Sequence, residues 1–507
     1  MRSITSDLLW QRWTTRQTTE PSSALNRAVY ECVRHAILDG SLPAAARLPA
    51  SRELASALGI SRNSVTHAYE QLHAEGYVRT VTGSGTYVSN VPPEQMLWSK
   101  AAPRQTQSSS DGGVYPSARR GRALVRSATA STAQWGAFMP GVPEVRMLPW
   151  RKLERCAAQE RRSAPPQWFS YAASAGHPLL RQELALYLRQ VRSVSCEPEQ
   201  ILVMDGVHQA VDLISRLLGD PGDLAWMEEP GYWGFRGLLN MNGFRIKGIP
   251  VGPEGLELPR RSSGPSPRLI FVTPSHQYPL GSVMSLSRRL ALVKYARQNR
   301  SWIVEDDYDS EFRFEGRPIP SLQGLDSDSP VIYIGTFSKT LYPGLRVAYV
   351  VLPRSLVDVF EKAHAELYRA GRLLTQAMLA RFIAEGHYLA HVRRMRLVYA
   401  GRRAALRQLV RTRLGEQWLH AHDSNAGLHL VLSLPAHADD VRIAQCAGQH
   451  DVLVQPLSRY YGGHKKEKGL LLGFGCVDKK EMFAPFERLV ACLDASYSRD
   501  PALPPIS

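Results

Sequence analysis

The chain is poor in several residue types and patterns, and each shortage excludes something. Its six cysteines (Cys32, Cys156, Cys196, Cys446, Cys476 and Cys492) are scattered and form no CxxC pair. That argues against a disulfide or zinc framework and for reduced thiols in a cytosolic protein. No apolar run reaches the roughly 18 residues of a membrane span. The opening MRSITSDLLWQRW lacks a secretory apolar core. No repeat of solenoid period is present. Acids are outnumbered, with 46 Asp and Glu against 62 Lys and Arg, a net charge of +16. That surplus suits a polyanionic partner and says nothing about fold. The remainder is ordinary. With 507 residues, 44% hydrophobic and 21% charged, the chain is neither a disordered polymer, a collagen-like fibre nor a disulfide miniprotein. At roughly 150 residues per domain it holds about three domains or subdomains.

Composition shifts divide the chain. Residues 1–20 are expected as an N-terminal arm and 21–90 as a compact module. Residues 91–133 are expected as a flexible basic linker, carrying SKAAPRQTQSSSDGG and SARRGRALVR. From 134 to 500, apolar runs such as ILVM, LIFV, SWIVED and VIYIG alternate with helical patterns. Such alternation predicts an α/β domain around a mostly parallel sheet.

In the first module, Leu25, Val29, Val33 and Ile37 recur every four residues and mark one helix face. Leu48-Pro49 leads a short helix to Leu58, closed by Gly59, and Ser61 caps a third helix. The break Gly59-Ile60-Ser61 between two helices gives a helix-turn-helix pattern. Two β-prone runs then flank Thr82-Gly83-Ser84-Gly85, a hairpin with a glycine turn. A plain helical bundle with a solvated face would share the helices but not this hairpin. Arg62, Asn63, Ser64 and His67 lie on the polar side of the third helix, where a recognition helix reads base edges. The string LPASRELASALGISRNSVTHAYEQLHAEGYV followed by TGSGTYV resembles the GntR-type winged helix-turn-helix over residues 24–89. The resemblance implies that Arg52, Arg62, Asn63, Ser64 and His67, with Ser84, Gly85 and Thr86 of the wing, approach DNA. Six Arg against five acids over residues 21–90 leave the module barely basic.

Four strings in the large module carry chemistry. Glu228-Glu229-Pro230-Gly231-Tyr232 sets an aromatic beside a tight turn. Trp302 to Tyr308 is an apolar strand ending in Glu305, Asp306, Asp307 and Tyr308. Ligands of open α/β sheets bind at such strand ends, although a magnesium-type acidic cluster fits the same residues. Gly335-Thr336-Phe337-Ser338-Lys339 continues through Tyr342-Pro343-Gly344-Leu345-Arg346, a set of hydroxyls and cations suited to a phosphate and a carbonyl, without Walker A spacing. Asp205-Gly206-Val207-His208 turns a strand into a helix and offers free amides to an anion.

Together these strings resemble the fold-type I aminotransferases that use pyridoxal 5'-phosphate (PLP). With the first module they look like the MocR/GabR subfamily of GntR regulators, as do TPSHQYPLG and EDDYDSEF. The resemblance implies a PLP-dependent transcriptional regulator, with a catalytically active aminotransferase carrying a DNA-binding module as the alternative. It implies that Lys339 bonds the cofactor, Asp306 pairs with its ring nitrogen and Tyr308 with its ring hydroxyl. Tyr232 would cover the ring, and Val207 and His208 amides, Thr336, Ser338 and Arg346 would hold the phosphate. It also implies a homodimer in the cytoplasm, an operator in double-stranded DNA, and a small amine, amino acid or B6 vitamer as signal. Where aminotransferases usually carry Asn-Pro-x-Gly, this chain has Tyr278-Pro279-Leu280-Gly281, which adds Tyr278 to the cofactor set and leaves His276 or Gln277 to replace the Asn. Arg459 is the candidate for gripping an effector carboxylate. Residues 393–413 hold eight Arg and no acid, either a solvated helix face or a track for DNA phosphates. His387 and His391 at i, i+4 lack a nearby third ligand, so no metal is expected.

Overall fold

The structure is a computed structural model describing residues 4–19, 25–90, 117–126, 134–171, 175–259, 264–316, 319–326, 330–369, 371–463 and 466–497. The chain divides into two compact units, residues 1–115 and 116–507.

The first unit holds helices α1 (Ile4–Thr19), α2 (Leu25–Leu38), α3 (Ser51–Leu58) and α4 (Arg62–Ala74), then strands β1 (Val78–Val81) and β2 (Gly85–Val88). Gly59 ends α3 at φ +69°, a left-handed conformation that glycine adopts without strain. The Ser61 hydroxyl then caps α4 by accepting from the Ser64 amide at 3.2 Å. β1 and β2 pair antiparallel from Val78↔Val88 to Val81↔Gly85, forming the wing. Residues 4–19, expected within an arm, form a helix instead. Leu9 and Trp13, four residues apart, bury one face with Val29, Val33, Leu54 and Val65. Ser6 donates to Glu53 at 2.7 Å, and Arg12 pairs with Asp39 at 2.6 Å.

Most of the expected linker, 91–116 and 127–133, lies outside the described residues. Between these stretches Arg119–Arg126 is a helix, α5. Leu124 lies over Gly237, and Arg120 donates to the Met241 carbonyl at 3.0 Å.

The second unit continues with α6 (Trp150–Ser163), α7 (Pro178–Arg192), β3 (Ile201–Met204), α8 (Val207–Leu218), β4 (Leu224–Glu229) and α9 (Trp233–Met241). Then come β5 (Arg245–Gly252), β6 (Gly255–Leu256), β7 (Leu269–Val272), α10 (Leu286–Asn299), β8 (Trp302–Asp307), β9 (Val331–Thr336) and β10 (Ala348–Val351). These strands form one sheet in the order β3-β10-β9-β8-β7-β4-β5-β6. Its centre, β9 through β5, is parallel, while β10 runs antiparallel to both neighbours. β3 and β7 to β10 are buried at almost every position, as a sheet covered on both faces requires. Helices α11 (Val357–Tyr368), α12 (Leu373–Ala384) and α13 (His387–Arg413) follow. A smaller antiparallel sheet, β11 (His429–Leu434), β13 (Lys468–Gly473) and β12 (Gln455–Pro456), packs with α14 (Asp440–Gln449) and α15 (Phe483–Tyr497). Among the described residues, no helix is long and apolar enough to cross a membrane.

Candidate functional site

The carboxyl end of β8 sorts its three acids by strand alternation. Glu305 and Asp307 point one way and are taken by structural partners. Glu305 accepts from the Leu322 and Gln323 amides at 2.8 and 2.9 Å. Asp307 accepts from Arg192 at 2.7 and 3.1 Å, Tyr333 at 2.6 Å and Ser310 at 2.9 Å. Burial alone would raise the Asp307 carboxyl, but Arg192 and these hydroxyls hold it below the ordinary value. Asp306 points the other way. Its Oδ1 is buried and has no hydrogen-bond partner among the described residues. Burial and the neighbouring Asp307 charge push its pKa up to about 8, against the pull of Lys339. With two of the three acids committed elsewhere, a magnesium-type cluster does not form.

The segment after β9 supplies the cations and hydroxyls. Thr336 donates to Ser338 Oγ at 3.1 Å and accepts from the Ser338 amide at 3.1 Å. Lys339 Nζ donates to the Gly141 carbonyl at 2.8 Å. Burial lowers the lysine pKa, opposed by Asp309 and Asp306. Arg346 donates to the Asp205 carbonyl at 2.8 Å, beside the start of α8. Gly206 is the residue before that helix, at φ +100°, and a Cβ there would meet Arg346 Nη2 at 2.6 Å. No side chain caps α8, so its first amides, Val207 and His208, remain open to an anion.

Aromatic rings wall the same region. Tyr232 lies edge-on to Tyr278 at 5.9 Å between ring centres, and its hydroxyl meets His208 Nε2 at 3.0 Å. Tyr278 stands perpendicular to Tyr308 at 5.5 Å and reaches the Tyr460 hydroxyl at 3.1 Å. The Arg459 guanidinium covers Trp233 at 4.3 Å and donates to Gln455 at 2.6 Å. Asp309, absent from the sequence-derived set, accepts from His276 Nδ1 in this wall. The two residues are 33 apart in sequence, and no spacing pattern joins them.

In the first unit, Arg52, Arg62, Asn63 and His67 are exposed on α3 and α4, with Ser64 half-buried at the cap. Arg62 Nε approaches Ser51 Oγ at 3.4 Å, and Ser84 Oγ meets the Tyr87 hydroxyl at 2.6 Å on the wing. A groove of about 670 Å³ runs between helix and wing, with Ser51, Thr66, Gly85 and Thr86 in its lining. Arg47 also lines it, lying against Gly85 and bridging to the Tyr87 backbone. Sequence reading missed Arg47 because it precedes the helix-turn-helix and reaches the wing only through that bridge.

The arginines of α13 are mostly engaged. Arg402 pairs with Glu144 at 2.8 Å, Arg403 with Asp423 at 2.6 Å, Arg407 with Asp423 at 2.9 Å and Arg413 with Glu487 at 2.6 Å. Arg411 pairs with Glu416, and Arg396 donates to the Glu311 carbonyl at 3.0 Å. His387 and His391 turn to different partners, Glu385 at 3.2 Å and the Thr340 carbonyl at 3.0 Å. Cys446 and Cys492, 46 residues apart in sequence, bring their sulfurs to 2.6 Å, with His450 completing a group of donors within 4.8 Å. Among the described residues, these three donors fall one short of a closed tetrahedral zinc set.

Comparison with known proteins agrees with both units. The chain matches the family of aminotransferases class I and II over residues 149–465 and the bacterial regulatory proteins of the gntR family over residues 25–88. It is 40% identical over 458 residues to the probable rhizopine catabolism regulatory protein MocR of Rhizobium meliloti, covering 90% of this chain and 91% of that protein. It is 32% identical to the pyridoxine biosynthesis transcriptional regulator PdxR of Corynebacterium glutamicum, covering 91% of this chain and 94% of that one. The crystal structure of an archaeal alanine:glyoxylate aminotransferase superposes with a TM-score of 0.66 at 24% identity, over 73% of this chain and 96% of its own. The chain therefore belongs to the MocR-type GntR regulators, transcription factors that join a DNA-binding winged helix to a domain of fold-type I aminotransferase architecture.

Proposed function

We propose that this regulator binds PLP at the carboxyl ends of β8 and β9 and uses it to sense a small amine, an amino acid or a B6 vitamer. The carrying observation is Asp306 Oδ1, a buried acceptor without a partner among the described residues, in the electrostatic reach of the half-buried Lys339. A protonated ring nitrogen supplies the donor and positive charge that this oxygen lacks. The remaining residues fit the same group. Thr336, Ser338, Arg346 and the open amides of Val207 and His208 form a cradle for a phosphate, and Gly206 keeps backbone and guanidinium close. Tyr232 and Tyr278 give a flat ring its walls, and Tyr308 supplies a phenol for its hydroxyl. When bound, PLP supplies an electrophilic carbonyl carbon that bonds an amine reversibly.

The residues do the rest. Burial favours the neutral, nucleophilic amine of Lys339, and the Gly141 carbonyl fixes its direction. Asp306 holds a proton at the ring nitrogen. The aromatic wall excludes water. Arg459, behind Trp233, is the proposed anchor for an effector carboxylate. Effector binding must favour one domain arrangement over another, because equal affinity for both would shift nothing. On the operator, Arg52, Arg62, Asn63, Ser64 and His67 face the major groove, with Ser84, Gly85 and Thr86 on the adjoining backbone. We further propose a homodimer working in the cytoplasm, its two-fold axis matched by paired half-sites.

The visible absorbance of the purified full chain with added PLP, before and after borohydride, tests the cofactor reading. With unbound PLP removed, a visible band that borohydride abolishes, leaving the cofactor attached, and that Lys339→Ala lacks, is the expected result. No band with PLP in excess overturns it.

A further inference from the structure

His276 Nδ1 is the meeting point of three oxygen atoms. Asp309 Oδ1 and Oδ2 lie at 3.2 and 3.1 Å, and the Tyr308 hydroxyl at 2.8 Å. His276 and Asp309 are 4% and 2% exposed, so water does not complete their hydrogen bonding. Nδ1 carries at most one hydrogen, and a carboxylate only accepts. A bare Nδ1 would aim its lone pair at the lone pairs of Asp309. The hydrogen therefore resides on Nδ1, and the Tyr308 oxygen receives it alongside the carboxylate. The phenol's own hydrogen is not spent on the imidazole.

Neighbouring residues hold this arrangement. The ring of His276 occupies the space where a Cβ of Gly427, at φ +76°, would stand. His429, 5.5 Å away between ring centres, donates from Nε2 to the Pro279 carbonyl at 2.8 Å. Burial pushes the His429 pKa down to about 4, so it adds no rival cation. Gln277, the other side chain at this turn, is consumed by the loop. It donates to the Pro230 and Tyr278 carbonyls at 2.8 Å each and accepts from the Leu280 amide at 3.0 Å.

We propose that Asp309 and His276 are a positioning pair for Tyr308: they fix its oxygen and leave its hydrogen directed at the ring hydroxyl oxygen of PLP. The proposal rests on the PLP reading above. It assigns Asp309 a part in cofactor recognition that runs through His276 and Tyr308. His276 acts through Tyr308, as second partners orient the ligands of metal sites.

The test is a PLP titration of the full chain, read by the visible band and by equilibrium dialysis. The proteins are wild type, H276A, H276N, D309N, Y308F and the double variant Y308F/H276A. Loss of one charge-assisted hydrogen bond predicts about tenfold weaker binding and a shifted band for H276A and D309N. H276N, which keeps a short donor, is expected to recover most of the affinity. In the Y308F background, H276A should cost nothing further, which a merely structural role would not produce. Equal losses with and without Tyr308, or a wild-type titration curve for H276A, overturn the pair while leaving the cofactor reading intact. A wild type that gives no band overturns both.

Discussion

Lys339 Nζ donates a 2.8 Å hydrogen bond to the carbonyl oxygen of Gly141, a residue 198 positions earlier in the chain. The contact aims the amine into the cleft, and the glycine cannot be replaced cheaply. At φ +75°, a Cβ on residue 141 would lie 2.6 Å from Nζ. Gly141→Ala is expected to destabilise the protein by about 1–2 kcal/mol from the left-handed backbone alone. It should also displace the amine and weaken the borohydride-sensitive band. Thermal melting and visible absorbance of the same preparation separate the two effects. An alanine variant with an undiminished band would show that Gly141 does not aim the lysine.

Asp306 makes a prediction about pH. Its folded pKa stands near 8 without a cofactor, above the ordinary 3.8, because burial and Asp307 disfavour the charged form. Below the ordinary value both states are protonated and the group contributes nothing. Between about pH 4 and 8 the unfolded chain ionises first, so rising pH costs stability. Asp306→Asn removes that cost. The variant without PLP should melt higher than wild type at pH 8 and equally at pH 4, while binding PLP more weakly. A melting difference that does not depend on pH would contradict the assignment.

On the DNA side, two arginines should behave differently. Arg62, exposed at the start of α4, reads a base edge on the reading proposed above. Arg62→Ala should cost roughly 1–3 kcal/mol on the specific operator and relax preference at one position. Arg47 lies in the groove against the wing, and the proposal extends to it as a phosphate contact. Arg47→Ala should weaken binding to all sequences alike and reduce the salt slope by about one. Operator and scrambled duplexes titrated at several salt concentrations distinguish the two. Swapped behaviour would reverse the roles.

Much of this was legible in the residues. Gly59 and Ser61 announce the helix break because cap chemistry is local, and the glycine turn announces the wing for the same reason. The alternation in Glu305-Asp306-Asp307 is also local, but which face meets Arg192 is not, since its partner lies 115 residues away. The segment before the winged helix read as an arm because Leu9 and Trp13 are too few to show a period, yet tertiary packing buries both. Arg47, Asp309 and the Cys446–Cys492 contact were illegible for one shared reason. Each is a meeting of distant segments, and single-sequence periodicity carries no register between them.

The arginine-rich helix α13 shows how composition misleads, and it gives the last prediction. Eight arginines without an acid look like a phosphate track, but acids from elsewhere in the chain pair with five of them, and Arg394 and Arg396 donate to backbone carbonyls. Arg402 is 3% exposed and donates to Glu144 at 2.8 Å and to the Gly475 carbonyl. Glu144 also takes two bonds of 2.8 Å from Arg146. Burial alone would raise the Glu144 carboxyl, but the two guanidinium groups hold it below its ordinary value. Its stabilisation is therefore present at neutral pH and lost as pH falls through the acid range. Arg402→Met leaves a buried carboxylate with one cation in place of two and should cost about 3 kcal/mol, near the low end for a broken buried pair. Arg411, exposed and paired with Glu416, should be neutral to stability when changed to Gln. Neither change should alter the salt slope of DNA binding. A shallower slope in Arg411→Gln would mean that α13 contacts phosphate after all, and an unaltered melt in Arg402→Met would mean that the Glu144 clamp is held by Arg146 alone.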